Sequence, residues 1–240
     1  MFSKHTPLKP PTDMKTTINV LAAFAIIFLA AGCCDKAVDT GTGQENPVIE
    51  NIMARRSVRR YTDQAVPRDL LQKIAECGVN APNAMNRQEW ELRIIDSKDY
   101  FDGVTAVMKE AMPMMVKEDE PGFRNAFRNA TAAIAVACPD DRSGMNLINV
   151  GLLCENICLA AESLGLGTVV MGGPAAVLAN NPAAATYLDK LGFSDGYKLR
   201  IVVGIGYPDE EPEAKPRDLG KIKFVDCPGG SETLNHLNHK

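Results

Sequence analysis

Apolar positions at Val48, Ile49, Ile52 and Met53 recur at helical steps after Pro47, so the folded part of the chain opens on a short helix. That helix delivers the backbone into the run Arg55-Arg56-Ser57-Val58-Arg59-Arg60-Tyr61. Pro67-Arg68-Asp69 has the make-up of a helix start, and Leu70, Leu71, Ile74 and Ala75 share one face before Gly78. A turn-rich stretch over residues 80–90 then leads to Leu92, Ile94 and Ile95, which predict a strand. Residues 98–117 have a Met-rich helical pattern broken at Pro113, and Phe123 and Phe127 beyond it are expected to pack. The apolar run 131–138 suits a buried strand. Residues 146–164 give the strongest helix, apolar on more than one face and so expected in the middle of the molecule. Residues 168–171 predict another strand, followed by Gly172-Gly173-Pro174 and an Ala-rich helical segment. A last strand is expected over residues 197–205, closed by Gly206-Tyr207-Pro208.

The first 46 residues stand apart from this pattern. Met14-Lys15, an apolar run from Val20 to Ala31 and small residues before Cys33 read as a secretory signal, too short to span a bilayer comfortably. Its ending resembles a bacterial lipobox, with Ala30 where leucine is usual, and implies lipid attachment at Cys33. The expected organisation is a signal over residues 1–33, a flexible tether over 34–46, a folded domain over 47–226 and a polar tail over 227–240. The expected location is therefore outside the cytoplasm, lipid-anchored to the cell envelope.

With 45% hydrophobic and 23% charged residues, the chain has the profile of a globular protein with a core. A net charge of −4 argues against nucleic acid as a partner, since a broadly basic face is needed for that. The basic cluster is a local feature. No CxxC or Cys/His cluster appears, and Cys154 and Cys158 share a helix face without further ligands, so no metal site is expected. His5, His236 and His239 all lie in the tails, away from any catalytic position in the core.

Several segments carry candidate chemistry. The arginine forks suit an anion such as phosphate, with a solvated basic face as the alternative. The amide-rich loop Asn80-Ala81-Pro82-Asn83-Ala84-Met85-Asn86-Arg87-Gln88-Glu89-Trp90 is suited to a heterocycle or is a plain turn. Gly172-Gly173 allows close approach of backbone to a flat or anionic ligand, without the three glycines of a dinucleotide fingerprint. Lys215-Pro216-Arg217 is either a second anion contact or an exposed turn.

In their order and spacing these segments, with the helix ending at Gly165-Leu166-Gly167 and the run Val203-Gly204-Ile205-Gly206, resemble the FMN-dependent nitroreductase family. Glu89 stands where that family often has proline before the tryptophan. The resemblance implies an α+β nitroreductase-like fold, a central mixed sheet wrapped by helices in an intertwined homodimer. It implies FMN held at its phosphate by Arg55, Ser57, Lys215 and Arg217, with Arg56 in the same cluster. Arg59 is then expected at the pyrimidine edge, Pro82, Asn83, Ala84 and Asn86 around the ring, Gly172 and Gly173 toward N5, and Asn149 near the phosphate or ribityl chain. The implied activity is hydride transfer from NAD(P)H through FMN to a small nitroaromatic or quinone-like acceptor. An exported protein could instead be a reductase or oxidase fed by a membrane electron donor, or a non-catalytic flavin-binding lipoprotein.

Overall fold

The computed structural model describes residues 46–225, so the signal, Cys33 and the tail beyond 226 lie outside the described residues. Helix α1 (Pro47–Ala54) starts at Asn46, whose side chain accepts from the backbone N–H of Val48 and Ile49. Asn46 is thus an N-cap and not part of the tether. Helix α1 buries none of its residues. It is tied to the molecule by Asn51, whose amide donates to the carbonyl of Leu159 at 3.0 Å.

Helix α2 (Arg68–Val79) begins after Pro67, which cannot continue a helix backward. Then come strand β1 (Glu91–Ile95), helix α3 (Lys98–Ala111) and strand β2 (Ala132–Pro139). Helix α4 (Met145–Ser163), strand β3 (Gly167–Met171), helix α5 (Gly172–Asn180), helix α6 (Ala185–Leu191) and strand β4 (Tyr197–Gly206) complete the regular elements.

The strands form one sheet in the order β1-β2-β4-β3 with every neighbour antiparallel. Where a mixed sheet was expected, the parallel component among the described residues is a single bridge between Ser57 and Thr168. The sheet divides the core into two layers because successive strand side chains point to opposite faces. On one side Ala132, Ile134 and Val136 of β2 pack with Leu71 and Ile74 of α2 and Leu153 and Ile157 of α4. On the other, Ala133 and Ala135 face Phe101, Val104 and Met108 of α3 and Leu178 of α5. Phe127 belongs to this second layer, fully buried and edge-on to Phe101 with ring centroids 4.9 Å apart.

Helix α4 departs from the expectation of a fully central helix. Leu153, Ile157 and Ala161 are buried, whereas Met145, Ile148 and Leu152 are exposed. A β-bulge between Val136 and Ala137 leaves Arg200 without a partner in the ladder. Its guanidinium donates instead to the carbonyl of Cys138 and to Asp140.

Candidate functional site

The chain leaving α1 runs beside β3 and then beside the segment after β4. Val58 N–H donates to the carbonyl of Thr168 at 2.9 Å, Thr62 N–H to that of Tyr207 at 2.9 Å, and Asp209 N–H to that of Arg60 at 2.9 Å. These bonds bring the basic cluster from the start of the domain against residues 207–210 near its end. The approach to β3 is so close that a Cβ at Gly167 would lie 2.8 Å from the Val58 side chain. Tyr61 is buried, its hydroxyl donating to the Val58 carbonyl at 2.6 Å, and burial together with nearby Glu210 keeps the phenol protonated.

Within the cluster the cations have separate environments. Arg55 is half-buried at the C-terminus of α1, its Nε 3.6 Å from Glu155 of α4. Arg56 turns back onto the helix it follows and donates to the carbonyls of Met53, Ala54 and Arg55, satisfying acceptors that the helix end leaves open. Arg59 donates its backbone N–H to the Glu210 carboxylate at 2.5 Å, and its guanidinium donates to the Ser57 carbonyl at 2.9 Å. Lys215 and Arg217 are exposed and bond to each other's segment, Arg217 to the Lys215 carbonyl, and to neither Arg55 nor Ser57.

The amide-rich loop is held in an unusual backbone. Met85, Asn86 and Gln88 all have φ between 52° and 54°, a region that costs non-glycine residues of order 1 kcal/mol each. Asn83 offsets part of this cost, since its Oδ1 accepts from the N–H of Gln88 at 2.9 Å. Asn149, buried in α4, accepts from the N–H of Ala84 at 3.4 Å. Asn149 therefore reaches the loop, about 9 Å along the helix from Glu155 and its partner Arg55 at a rise of about 1.5 Å per residue. Pro82 and Asn86 are exposed, and Asn83 and Ala84 half-buried.

Strand β3 passes into α5 without an intervening loop. The N-cap position is Met171, which offers no side-chain acceptor, so the first amides of α5 are unpaired by a cap. Gly172 is exposed with nothing within 4 Å of a Cβ built on it, and a Cβ built on Gly173 would lie 3.2 Å from the Met115 methyl. An uncapped helix start with bare backbone is suited to a flat, electron-rich or anionic group.

A cavity of about 400 Å³ adjoins this place, lined by Met115, Arg59, Arg60, Lys117, Arg124 and Arg128 among others. Sequence reading had Arg60 only as part of the basic cluster, and missed Lys117, Arg124, Arg128 and Glu210. The available signal was a tandem repeat, Phe123-Arg124-Asn125-Ala126 followed by Phe127-Arg128-Asn129-Ala130, whose four-residue spacing would suit a helix but which the structure folds as turns. Cys154 and Cys158 are buried as expected, and burial pushes the Cys154 thiol up to about 12.

Comparison with known proteins places the chain in a family. The family model described as the nitroreductase family matches residues 52–207. An NADPH-flavin oxidoreductase of Vibrio harveyi is 31% identical over 182 residues, covering 72% of this chain and 70% of the relative. A Methanothermobacter thermautotrophicus protein named as a putative NADH dehydrogenase/NAD(P)H nitroreductase is 30% identical over 128 residues, covering 52% of this chain and 60% of its own length. A nitroreductase structure with bound FMN from Desulfitobacterium hafniense superposes with a TM-score of 0.67 at 27% identity, over 76% of this chain and 100% of that one. One from Bacteroides fragilis, also with bound FMN, gives 0.65 at 25% identity, over 76% and 100%. The antiparallel sheet between two helical layers is that of a nitroreductase-like fold, and the chain belongs to the nitroreductase family.

Proposed function

We propose that this protein is an FMN-dependent oxidoreductase that takes electrons from NAD(P)H and passes them to small nitroaromatic or quinone-like acceptors. The observation that carries the reading is the start of α5, where bare, uncapped backbone at Gly172 and Gly173 leaves space and free N–H groups for a flat ring. Bound FMN supplies reversible hydride chemistry at its N5. The chain's part is to bind, orient and stabilise charge.

Arg55 and Ser57 are assigned to the phosphate together with Lys215 and Arg217. A phosphate monoester carries about −1.5 to −2 charges, which a few cations and a hydroxyl complement. Arg59 supplies positive charge for the pyrimidine edge. Pro82, Asn83, Ala84 and Asn86 flank the ring, and Asn149 sets the loop that bears them. Arg56 joins this group through the backbone, by fixing the end of α1 from which Arg55 projects.

Proteins of this family are typically homodimers, and the same assembly is proposed here. Its support is the apolar surface left uncovered by one chain: Ile49 and Met53 on α1, Ile148 and Leu152 on α4, and Phe224, which is 97% exposed. The partner would cover these positions and bring the exposed Lys215–Arg217 segment of one chain against the site.

The electron source has a second reading, favoured by the apolar run from Val20 to Ala31 ahead of Cys33. In that reading the protein is exported, lipid-anchored to the cell envelope and fed by a membrane donor. Purified protein scanned for flavin absorbance, then mixed anaerobically with NADH, NADPH and quinols, separates the cases. FMN reduced by a nicotinamide supports the first reading, and reduction by quinol alone the second. FMN that no donor reduces marks a non-catalytic flavin-binding lipoprotein, and protein that takes up no FMN removes the whole assignment.

A further inference from the structure

The cavity beside Gly173 carries a charge pattern at odds with the rest of the molecule. Arg59, Arg60, Lys117, Arg124 and Arg128 line it against two carboxylates, Glu120 and Asp209, in a chain whose net charge is −4. Three of these cations are already engaged, the first being Arg59, whose guanidinium donates to the Ser57 carbonyl. Arg124 donates through one nitrogen to the carbonyls of Tyr61, Thr62 and Asn129 and so ties the cavity wall to the basic segment. Lys117 is paired with Glu120.

The guanidinium groups of Arg60 and Arg128 form neither a hydrogen bond nor an ion pair among the described residues. Arg128 is presented on a backbone built at some expense. It has φ 59° and its neighbour Asn129 has φ 63°, a region most side chains avoid. Amide side chains hold the loop there: Asn125 donates to the Ala130 carbonyl and accepts from Phe127 N–H, while Asn129 accepts from the N–H groups of Arg124 and Asn125. The paired Arg–Asn repeat thus uses its first arginine as a structural tie and leaves its second facing the cavity.

The cavity adjoins the proposed ring site across Met115, which lines it and lies with its methyl 3.2 Å from the Cβ position of Gly173. We propose, resting on the oxidoreductase reading above, that this cavity binds the oxyanion of a reacting partner. A carboxylate or phosphate sits between Arg60 and Arg128 while the reactive end of the same small molecule reaches the Gly173 edge. The oxyanion belongs either to the electron acceptor or to the nicotinamide donor's phosphates, because both present the same donors with the same chemistry. A fixed cationic cavity in an acidic protein also draws anions toward it.

The test uses FMN-loaded full-length protein, wild type and the Arg60→Gln/Arg128→Gln pair, with 4-nitrobenzoate and uncharged 4-nitrobenzyl alcohol as acceptors and NADH and NADPH as donors. If the acceptor carries the oxyanion, the ratio of KM for nitrobenzoate to KM for the alcohol rises about tenfold in the double variant. That tenfold change corresponds to about 1.4 kcal/mol, within reach of one lost charge-assisted contact. Arg128→Lys keeps most of the preference, and high salt erases it in wild type. If the donor carries it, KM for NADH or NADPH rises instead and the acceptor ratio stays fixed. Unaltered ratios and unaltered donor KM values in a double variant that melts like wild type overturn the proposal. Protein that takes up no FMN overturns the oxidoreductase reading alone. Inorganic phosphate titrated calorimetrically into wild type and double variant then still decides the cavity, equal binding to both sinking it.

Discussion

Gly167 and Gly172 stand at the two ends of β3 and respond oppositely to one added methyl group. At Gly167 the new Cβ meets Val58 at 2.8 Å, and a β-branched side chain has little freedom to withdraw. Gly167→Ala is expected to cost about 1–3 kcal/mol and to loosen the segment carrying Ser57. At Gly172 the methyl meets nothing within 4 Å. Gly172→Ala should melt at or slightly above the wild-type temperature, gaining roughly 0.5 kcal/mol from a stiffer unfolded chain, yet take up FMN more weakly. Thermal melts beside FMN fluorescence titrations read both effects, and wild-type affinity in Gly172→Ala would take that glycine out of the site. The buried thiols give a pH signature. Burial, with a smaller push from Cys158 and Glu155, pushes Cys154 up to about 12, whereas an unfolded thiol ionises near about 8.5. Below about pH 8.5 both states keep the proton and the stabilisation is complete; it is lost as pH rises through the folded value of about 12. Denaturant midpoints should be level from pH 7 to about 8 and decline above about pH 9, with a shallower decline in Cys154→Ala.

Helix α1 shows how an element without a buried face depends on its ends. Asn46 caps its start and Arg56 its finish, so Asn46→Ala should remove about 1 kcal/mol of local stability. Hydrogen exchange over residues 50–53 would accelerate while β2 and β4 stay protected; unchanged exchange would mean that α1 is held by something other than its caps. The helices and strands themselves were largely legible, because Pro67, Pro113, Gly165 and Gly206 mark ends and the periods between them change cleanly. Asn46 was not, since it closes a run rich in Thr, Gly and Gln that reads as tether. The exposed side of α4 was also illegible, because an apolar stripe has the same period whether its own chain or another covers it. Arg124 and Arg128 were missed for a third reason: residues 122–130 form a loop held by asparagine side chains, so their four-residue repeat does not correspond to a helix. Arg55 and Asn149 were legible as candidates, but their contacts with Glu155 and Ala84 join positions far apart in sequence and appear only in the fold.

The molecule as a whole presents a sheet enclosed on both faces and an apolar surface on α1, α4 and the end of the described chain. Ile148→Glu with Leu152→Glu should leave the secondary structure intact, as both side chains are exposed in the single chain, and shift the sedimenting species from dimer to monomer with loss of bound FMN. A stable dimer in that variant would place the contact elsewhere. The direct passage from Met171 to Gly172 sets a different whole-molecule constraint. Strand and helix meet there like two meshed gears, and one inserted residue would rotate the helix downstream by about 100° and advance it by about 1.5 Å, swinging its leading amides away from the cleft. Insertion scanning should therefore find this junction intolerant even to a lone alanine, while the exposed residues 118–122 and the largely exposed stretch 211–214 accept added length.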